Sequence, residues 1–100
     1  GEVTNADLAI GFAKAGRKVL LVDCDLRKPQ IHNLFGVTRS PGFGDVLEGA
    51  VAWRDCVQET DNEHLDILPA GKTKSSPGEL LAGERALEVM EDLKANYHRT

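Results

Sequence analysis

The sequence contains no long apolar run, few aromatic residues and no excess of positive charge. A membrane-spanning helix needs about 18 consecutive apolar residues, so no such helix is predicted. With a net charge of −4 at pH 7, the chain lacks the basic character of a nucleic-acid-binding domain. Its 100 residues are enough for one domain with a modest apolar core. We therefore expect one globular domain with no nucleic-acid partner.

Cysteine is also scarce, with Cys24 and Cys56 as the two thiols of the chain. They form no Cys-x-x-Cys pair and no zinc-ligand spacing, and we predict two reduced thiols in a cytosolic protein. The three histidines, His32, His64 and His98, likewise share no metal-ligand spacing. The chain does not begin with Met, and we interpret it as a piece of a longer protein.

The first part of the chain has the pattern of a helix followed by a buried strand. Thr4-Asn5-Ala6-Asp7 fits a helix-capping sequence, and Gly16 is placed to end the helix. The next apolar run, Val19–Val22, does not alternate with polar residues, which is typical of a strand covered on both faces in a parallel sheet. The apolar residues of the predicted helix lie four positions apart, as on one helix face: Leu8, Ala9, Phe12 and Ala13.

The rest of the chain predicts short helices, one more strand and a long final helix. Only short helices and loops are expected over residues 29–60, and a second strand over Leu65–Leu68. The final helix is predicted from Ser76 to Tyr97, since Ser as N-cap followed by Pro77 is typical of a helix start. This order of elements predicts an α/β domain with a parallel sheet, whose crossover is right-handed.

Acidic residues follow the first predicted strand directly, at Asp23 and Asp25. Ligands bind beyond the carboxyl ends of parallel strands, where the loop 70–76 and the amino end of the first helix should also lie. Carboxylates suit Mg²⁺, and cations and helix N–H groups suit phosphate. The pattern therefore predicts a nucleotide–magnesium site. The alternative is that the two acids only cap their own loop and pair with its cations. The cations expected at this edge are Arg27, Lys28, Lys72 and Lys74.

Several other polar or aromatic residues are assigned ordinary structural roles. Trp53 and Tyr97 are interpreted as core residues. Lys72 and Lys74 are interpreted as loop cations rather than phosphate ligands. The acidic residues of the final helix are predicted to form its solvated face: Glu84, Glu88, Glu91 and Asp92.

The segment VLLVDCDLRKP, residues 19–29, resembles the Walker A′ motif of the bacterial tyrosine kinases of capsule and exopolysaccharide synthesis and export. The resemblance continues in order through IHNLFGV, PGFGDVLEGAV, LDILPAG and SPGELLAGERALEVMEDLKANY, and spans Ala9 to Tyr97. It implies a P-loop NTPase-like α/β fold, with a parallel sheet flanked by helices, and transfer of the γ-phosphoryl group of ATP to tyrosine. Residues 1–100 would then form a partial kinase domain, truncated to two strands.

The resemblance also implies roles for individual residues. Asp23 would be the catalytic acid of the motif that orients and deprotonates the tyrosine hydroxyl. Asp25 would be the second catalytic acid and would hold Mg²⁺ directly or through water. Arg27 would be a structural or phosphate-facing cation. ATP would lie against the remnant of the phosphate-binding loop, formed by Gly1, Glu2 and Thr4.

The chain departs from the family at its nucleotide-binding elements. The family's loop reads Gly-Glu-Gly-Lys-Ser/Thr, whereas this chain reads Gly1-Glu2-Val3-Thr4, as if Gly-Lys-Ser were missing after Glu2. The missing Lys would pair with the β- and γ-phosphates, and the missing hydroxyl would bind Mg²⁺. By the resemblance, the strand before this loop and the Walker B strand would also be lacking from residues 1–100. We therefore expect weak ATP binding by this chain alone.

By resemblance, the partners would be an inner-membrane chain-length regulator of polysaccharide synthesis, further copies of the chain and tyrosine-containing substrates. The protein would act in the cytoplasm at the inner face of the plasma membrane. Two alternatives are a partition-type P-loop ATPase, whose nucleotide state controls dimerisation, and an interaction module that has lost ATP binding. Because two strands are lacking, Val19–Val22 is predicted to have an open edge, which would make the chain marginally stable or oligomeric.

Overall fold

A computed structural model of the protein describes residues 9–97 apart from Ala15 and Arg17. These residues form an α/β structure, in agreement with the expected fold class. Its strands belong to one sheet, and helices lie between the strands and after the last one. The strands are β1 (Ala9–Lys14), β2 (Lys18–Asp23), β3 (Gln58–Glu59) and β4 (Leu65–Leu68). The helices are α1 (Ile31–Phe35), α2 (Phe43–Leu47), α3 (Pro77–Ala82) and α4 (Glu84–Asn96), with a 3₁₀ turn at Trp53–Asp55.

The sheet is mixed, with the strand order β1-β2-β4-β3. Its central strands β2 and β4 are parallel, with Val19 opposite Leu65 and Val22 opposite Leu68. The two predicted strands and their parallel pairing are therefore confirmed. The predicted count of two strands is wrong, because β1 and β3 add antiparallel neighbours on the two sides of this pair.

The segment expected to be a helix before Gly16 is the antiparallel strand β1 over its described part. Lys14 pairs with Lys18, and Gly16 between them has a φ of 87°, the left-handed conformation that a tight hairpin turn requires. Ile10 and Phe12 are half-buried whereas Gly11 between them is exposed, which is the alternation of a strand. The predicted capping sequence Thr4–Asp7 lies outside the described residues.

This hairpin also changes the predicted state of β2. All six residues of β2 pair with β1 on one edge, and four of them pair with β4 on the other. The open edge expected beside Val19–Val22 is therefore wrong. The expectation of cover on both faces holds only in part, because Leu20 and Val22 are fully buried whereas Val19 is 37% exposed.

The region between β2 and β4 follows the predicted pattern of short helices, with one addition. Helices α1 and α2 and the 3₁₀ turn lie where short helices are expected. The addition is β3, two residues long, which pairs with Ile67 and Asp66 of β4. Polar loop residues then lead into β4, as predicted.

The long final helix is broken into α3 and α4 at Gly83, so the prediction of one continuous helix is wrong. Gly83 has φ −80° and ψ 166°, an extended conformation in which it caps the start of α4. Ser76 does precede the first helix turn, but its side chain makes no capping hydrogen bond. Leu81 and Leu87 in these helices are 40% and 65% exposed, so not all of their leucines join the core.

The core lies between the sheet and the helices α2 and α4. Leu20, Val22, Leu68 and Leu93 are among its fully buried side chains. Trp53 and Tyr97 belong to the same apolar cluster, which confirms their predicted core role. No helix in the described part of the chain is long and apolar enough to cross a membrane. This packing places the carboxyl ends of β2 and β4 side by side, where the predicted site residues follow.

Candidate functional site at the carboxyl end of the sheet

Asp23 is the last residue of β2 and is only 2% exposed. The backbone N–H of Asp25 donates a 3.0 Å hydrogen bond to Asp23 Oδ1, and the N–H of Ile31 donates a 3.3 Å bond to Oδ2. Burial raises the pKa of the Asp23 carboxyl above its usual value, and these two bonds only partly offset the rise. Both oxygens are thus held in place, in a position where the charged form is disfavoured.

Asp25 lies two residues further on and is half-buried. Its Oδ1 accepts hydrogen bonds from the backbone N–H groups of Arg27, at 3.3 Å, and Lys28, at 3.1 Å. The two acids therefore do cap their own loop, as the alternative interpretation expected. Among the described residues no donor contacts Asp25 Oδ2, so this oxygen is available to a ligand.

The cations of this loop do not neutralise its acids. Arg27 and Lys28 are exposed, and the ion pairs of the described residues involve neither of them. Arg27 instead lies beside the start of α3, where a Cβ placed on Gly78 would be 3.9 Å from its guanidinium nitrogen. The loop after β2 and the first turn of α3 therefore meet at this edge.

The loop that follows β4 is held against α2 through Asp45, a residue that sequence reasoning missed. Asp45 Oδ2 accepts hydrogen bonds from the N–H of Gly42, at 2.8 Å, and from the N–H of Lys72, at 3.2 Å. The N–H groups of Phe43 and Gly44 donate 2.7 Å bonds to carbonyls of residues 69 and 70. Asp at the third position of a helix is a capping signal that could have identified this residue.

Gly71 makes this close approach possible. Its φ is 73°, and a Cβ there would lie 2.3 Å from Asp45 Oδ2. Glu48 holds the next part of the loop. Its Oε2 accepts hydrogen bonds from the backbone N–H groups of Lys74 and Ser75, both at 3.0 Å. The bond from Ser75 is the main reason that the pKa of Glu48 is lowered. The Lys72 and Lys74 side chains are exposed.

His32 is a second residue near the acids that the sequence analysis did not assign to the site. It lies in the first turn of α1, directly after Ile31, whose N–H bonds Asp23. Its Nδ1 is shielded from solvent and has no hydrogen-bond partner among the described residues. The charge of His32 is one of the influences on the pKa of Asp23, which it lowers. No sequence pattern indicated this proximity.

The opposite end of the sheet carries a different polar cluster. The hydroxyl of Tyr97 donates a 2.9 Å hydrogen bond to Asp66 Oδ2, and Lys18 Nζ lies 3.2 Å from Asp66 Oδ1. Trp53 Nε1 donates a 2.8 Å hydrogen bond to Asp92. The four acids predicted to form the solvated face of the final helix are all exposed, which confirms that prediction: Glu84, Glu88, Glu91 and Asp92.

The acids at the carboxyl end fit Mg²⁺ and ATP only in part. The available Asp25 oxygen is a suitable ligand for a hydrated hard cation that is also bound by phosphates. No group of three or more His, Cys, Asp or Glu side chains in the described part of the chain is arranged to hold a metal ion by itself. The predicted nucleotide contacts Gly1, Glu2 and Thr4 lie outside the described residues. In the sequence Glu2 is followed by Val3, where the resemblance led us to expect Gly-Lys-Ser.

The chain is similar in sequence to bacterial tyrosine kinases over nearly its whole length. It is 38% identical over 94 residues to the tyrosine-protein kinase YwqD of Bacillus subtilis (strain 168), which covers 94% of this chain and 40% of YwqD. It is 32% identical over 95 residues to the putative tyrosine-protein kinase CapB of Staphylococcus aureus, covering 95% of this chain and 42% of CapB. No family model matches the chain.

Solved kinase domains share the fold. The kinase domain of VpsO is 43% identical, with a TM-score of 0.70, and the match covers 76% of this chain and 38% of that one. The kinase domain of the Escherichia coli tyrosine kinase ETK is 30% identical, with a TM-score of 0.72. This match covers 82% of this chain and 32% of that one. The chain spans about two fifths of the length of YwqD and CapB. By sequence and by fold, the chain is a relative of the bacterial tyrosine kinases, matching part of their kinase domain.

Proposed function

We propose that this chain provides the acidic half of a phosphoryl-transfer site in a bacterial protein-tyrosine kinase that regulates polysaccharide polymerisation and export. The observation that carries the proposal is the pair Asp23 and Asp25 at the end of β2, each with its carboxylate held by backbone donors. The similarity to YwqD and CapB, both named as tyrosine kinases, supports the reaction class over a partition-type ATPase.

In this proposal Asp23 accepts the proton of the tyrosine hydroxyl. A general base is most effective when its pKa approaches the working pH, and the raised pKa of Asp23 moves it in that direction. The hydrogen bonds from Asp25 N–H and Ile31 N–H keep the carboxylate from rotating. In this proposal the carboxylate is therefore already oriented before the substrate arrives.

Asp25 would hold Mg²⁺ through Oδ2, directly or through water, while Oδ1 stays bonded to the loop backbone. When bound, Mg·ATP supplies the phosphoryl group and neutralises the charge on the phosphate oxygens. Arg27, in the loop after β2 and beside the start of α3, would be a cation that faces the phosphates or holds α3 in place. These assignments account for two acids and a guanidinium at one strand end.

The test uses the full protein that contains this chain and measures autophosphorylation on tyrosine. Asp23→Asn should lower the rate by about 10²-fold or more, the scale for loss of a catalytic base. Asp25→Asn should raise the Mg²⁺ concentration needed for half-maximal rate. Asp61→Asn, an exposed acid in the loop before β4, is the matched control and should leave the rate unchanged. Parent-like rates for both site variants would overturn the assignment.

A second candidate function is that of an interaction module that no longer binds nucleotide. It is favoured by the missing Gly-Lys-Ser and by β1, a strand where a helix was expected to follow the phosphate-binding loop. Calorimetry of the full protein with Mg·ATP separates the two candidates, because weak binding by the 100-residue chain alone is expected of both. A millimolar or weaker Kd, about 4 kcal/mol of binding, supports the module, whereas a micromolar Kd supports the kinase.

The proposed partners follow from kinship alone. They are an inner-membrane chain-length regulator, further copies of the same protein and tyrosine-containing substrates, with the protein acting at the inner face of the plasma membrane. One solved relative is described as the chimerical protein CapA2B2, 30% identical with a TM-score of 0.70. Membrane fractionation and co-purification from the source cell test this: recovery in the soluble fraction without a membrane protein would contradict it.

A further inference from the structure

The His32 imidazole is a polar group beside the acids that the proposed reaction does not yet employ. Its Nδ1 is shielded from solvent and has no hydrogen-bond partner in the described part of the chain. Leaving a buried polar atom unpaired costs on the order of 1–3 kcal/mol. We therefore expect a group near this atom with which it can form a hydrogen bond.

In this structure Nδ1 makes no hydrogen bond to Asp23, but Asp23 is a carboxylate on which the charge of His32 acts. The N–H of Ile31 donates to Asp23 Oδ2, which fixes the first turn of α1 against this carboxylate and brings His32 with it. Each Asp23 oxygen accepts one backbone hydrogen bond, whereas an ionised carboxylate can accept about four in total. The carboxylate therefore has capacity for another donor.

In the proposed reaction the proton of the tyrosine hydroxyl goes to Asp23, so His32 is not assigned a direct contact with substrate. We propose that His32 is a positioning residue for Asp23, with its Nδ1–H directed toward the carboxylate so that the opposite lone pairs face the acceptor hydroxyl. This inference rests on the proposed role of Asp23 as the base. It requires the neutral imidazole to carry its proton on Nδ1.

The tautomer can be measured on the full protein that contains this chain, without any kinase activity. Nitrogen-15 spectra of the histidine rings above pH 7.5 should show a larger Nδ1–H fraction for His32 in the parent than in Asp23→Ala. The exposed His64, beside Glu63, is the internal control and should not change. An unchanged His32 tautomer in a folded Asp23→Ala variant would overturn the inference, whatever the protein's activity.

Kinetics on the full protein give the second readout. His32→Leu removes the donor, whereas His32→Asn retains an N–H near the position of Nδ1. We expect His32→Leu to lower kcat by roughly 10-fold with the KM for ATP unchanged, and His32→Asn to recover most of the loss. Equal losses in the two variants would indicate a packing role and contradict the inference. If the parent lacks kinase activity, the proposed function fails and the tautomer measurement still decides the role of His32.

Discussion

At the amino end of the β2–β4 pair, Asp66 is held by two side chains, the ammonium of Lys18 and the hydroxyl of Tyr97. At the carboxyl end, Asp23 is held by two backbone N–H groups, from Asp25 and Ile31. Both carboxylates are buried, at 5% and 2% exposed. The first has a cation beside it, whereas the second has none among the ion pairs of the described residues.

The difference separates a structural carboxylate from one suited to chemistry. Backbone donors orient Asp23 without neutralising it, and burial leaves its pKa raised. A carboxylate of this kind can take up a proton at the moment a substrate releases one. Asp66 has a cation and a hydroxyl already in contact, so its oxygens hold β2, β4 and the end of α4 together. The candidate site therefore lies at the carboxyl end of β2 and β4, and the structural carboxylate lies at their amino end.

The largest predicted effect is on stability, at the amino end. Asp66→Ala should lower the free energy of unfolding by about 1–3 kcal/mol, because it removes an acceptor of the buried Tyr97 hydroxyl and the ion-pair partner of Lys18, whose side chain is 26% exposed. Urea unfolding followed by circular dichroism measures this. The matched control, Asp61→Ala in the exposed loop before β4, should change the value by less than about 0.5 kcal/mol. Similar losses for the two variants would remove the distinction between the ends.

A smaller effect, with a distinctive pH dependence, is expected at the carboxyl end. An acid whose folded pKa exceeds its unfolded value, near 3.8 for Asp, binds its proton more tightly when folded. Its contribution to stability is therefore present below pH 3.8 and is lost as pH rises through the folded pKa. In the Asp23→Asn variant this side chain cannot ionise, so the variant does not lose this contribution to stability as the pH rises.

The stability of Asp23→Asn relative to the parent should consequently increase between pH 4 and pH 7. Urea unfolding of both proteins at the two pH values measures the change. A relative stability that falls over this range would mean that the folded state prefers the ionised Asp23, and the contrast with Asp66 would disappear.

The smallest predicted effect concerns Cys24, which lies between the two acids. Burial, followed by the charge of Asp23, raises the pKa of its thiol to about 12, so almost no thiolate exists at pH 8. We expect slow reaction with Ellman's reagent, measured in a Cys56→Ala background. Adding Asp23→Asn removes the second cause and should raise the rate a few-fold. A rate equal to that of free cysteine in the parent would contradict this account.

The parts of the fold that could be predicted are those with strong local patterns. The uninterrupted apolar run before Asp23 and the run Leu65–Leu68 identify the central strands, and their parallel pairing follows from the helices between them. The position of Asp23 and Asp25 at the carboxyl edge of the parallel pair then follows from topology. A carboxylate that directly follows a buried strand can therefore be located without coordinates.

The parts that could not be predicted depend on contacts between distant segments. Residues 9–14 fit a helix face and a strand equally well, and their pairing with β2 decides between them. The strand β3 is two residues long and has no signal apart from β4 beside it. The roles of Asp45 and His32 arise where a loop or a helix turn approaches from elsewhere in the chain. Such contacts between distant segments cannot be predicted from the local sequence.

The β1–β2 hairpin has a consequence for the order of folding. Its strands are joined by a turn at Gly16, whereas the β2–β4 pairing must bring Val19 to Leu65 across all of the intervening helices. The entropy lost on closing a loop grows with the length of the loop, so the hairpin should form first and the parallel pair later. Pulse-labelled hydrogen exchange should show protection of β1 and β2 amides before those of β4. Because Asp23 ends β2 while its neighbouring loop follows β4, the acidic site would be completed only in the last stage of folding.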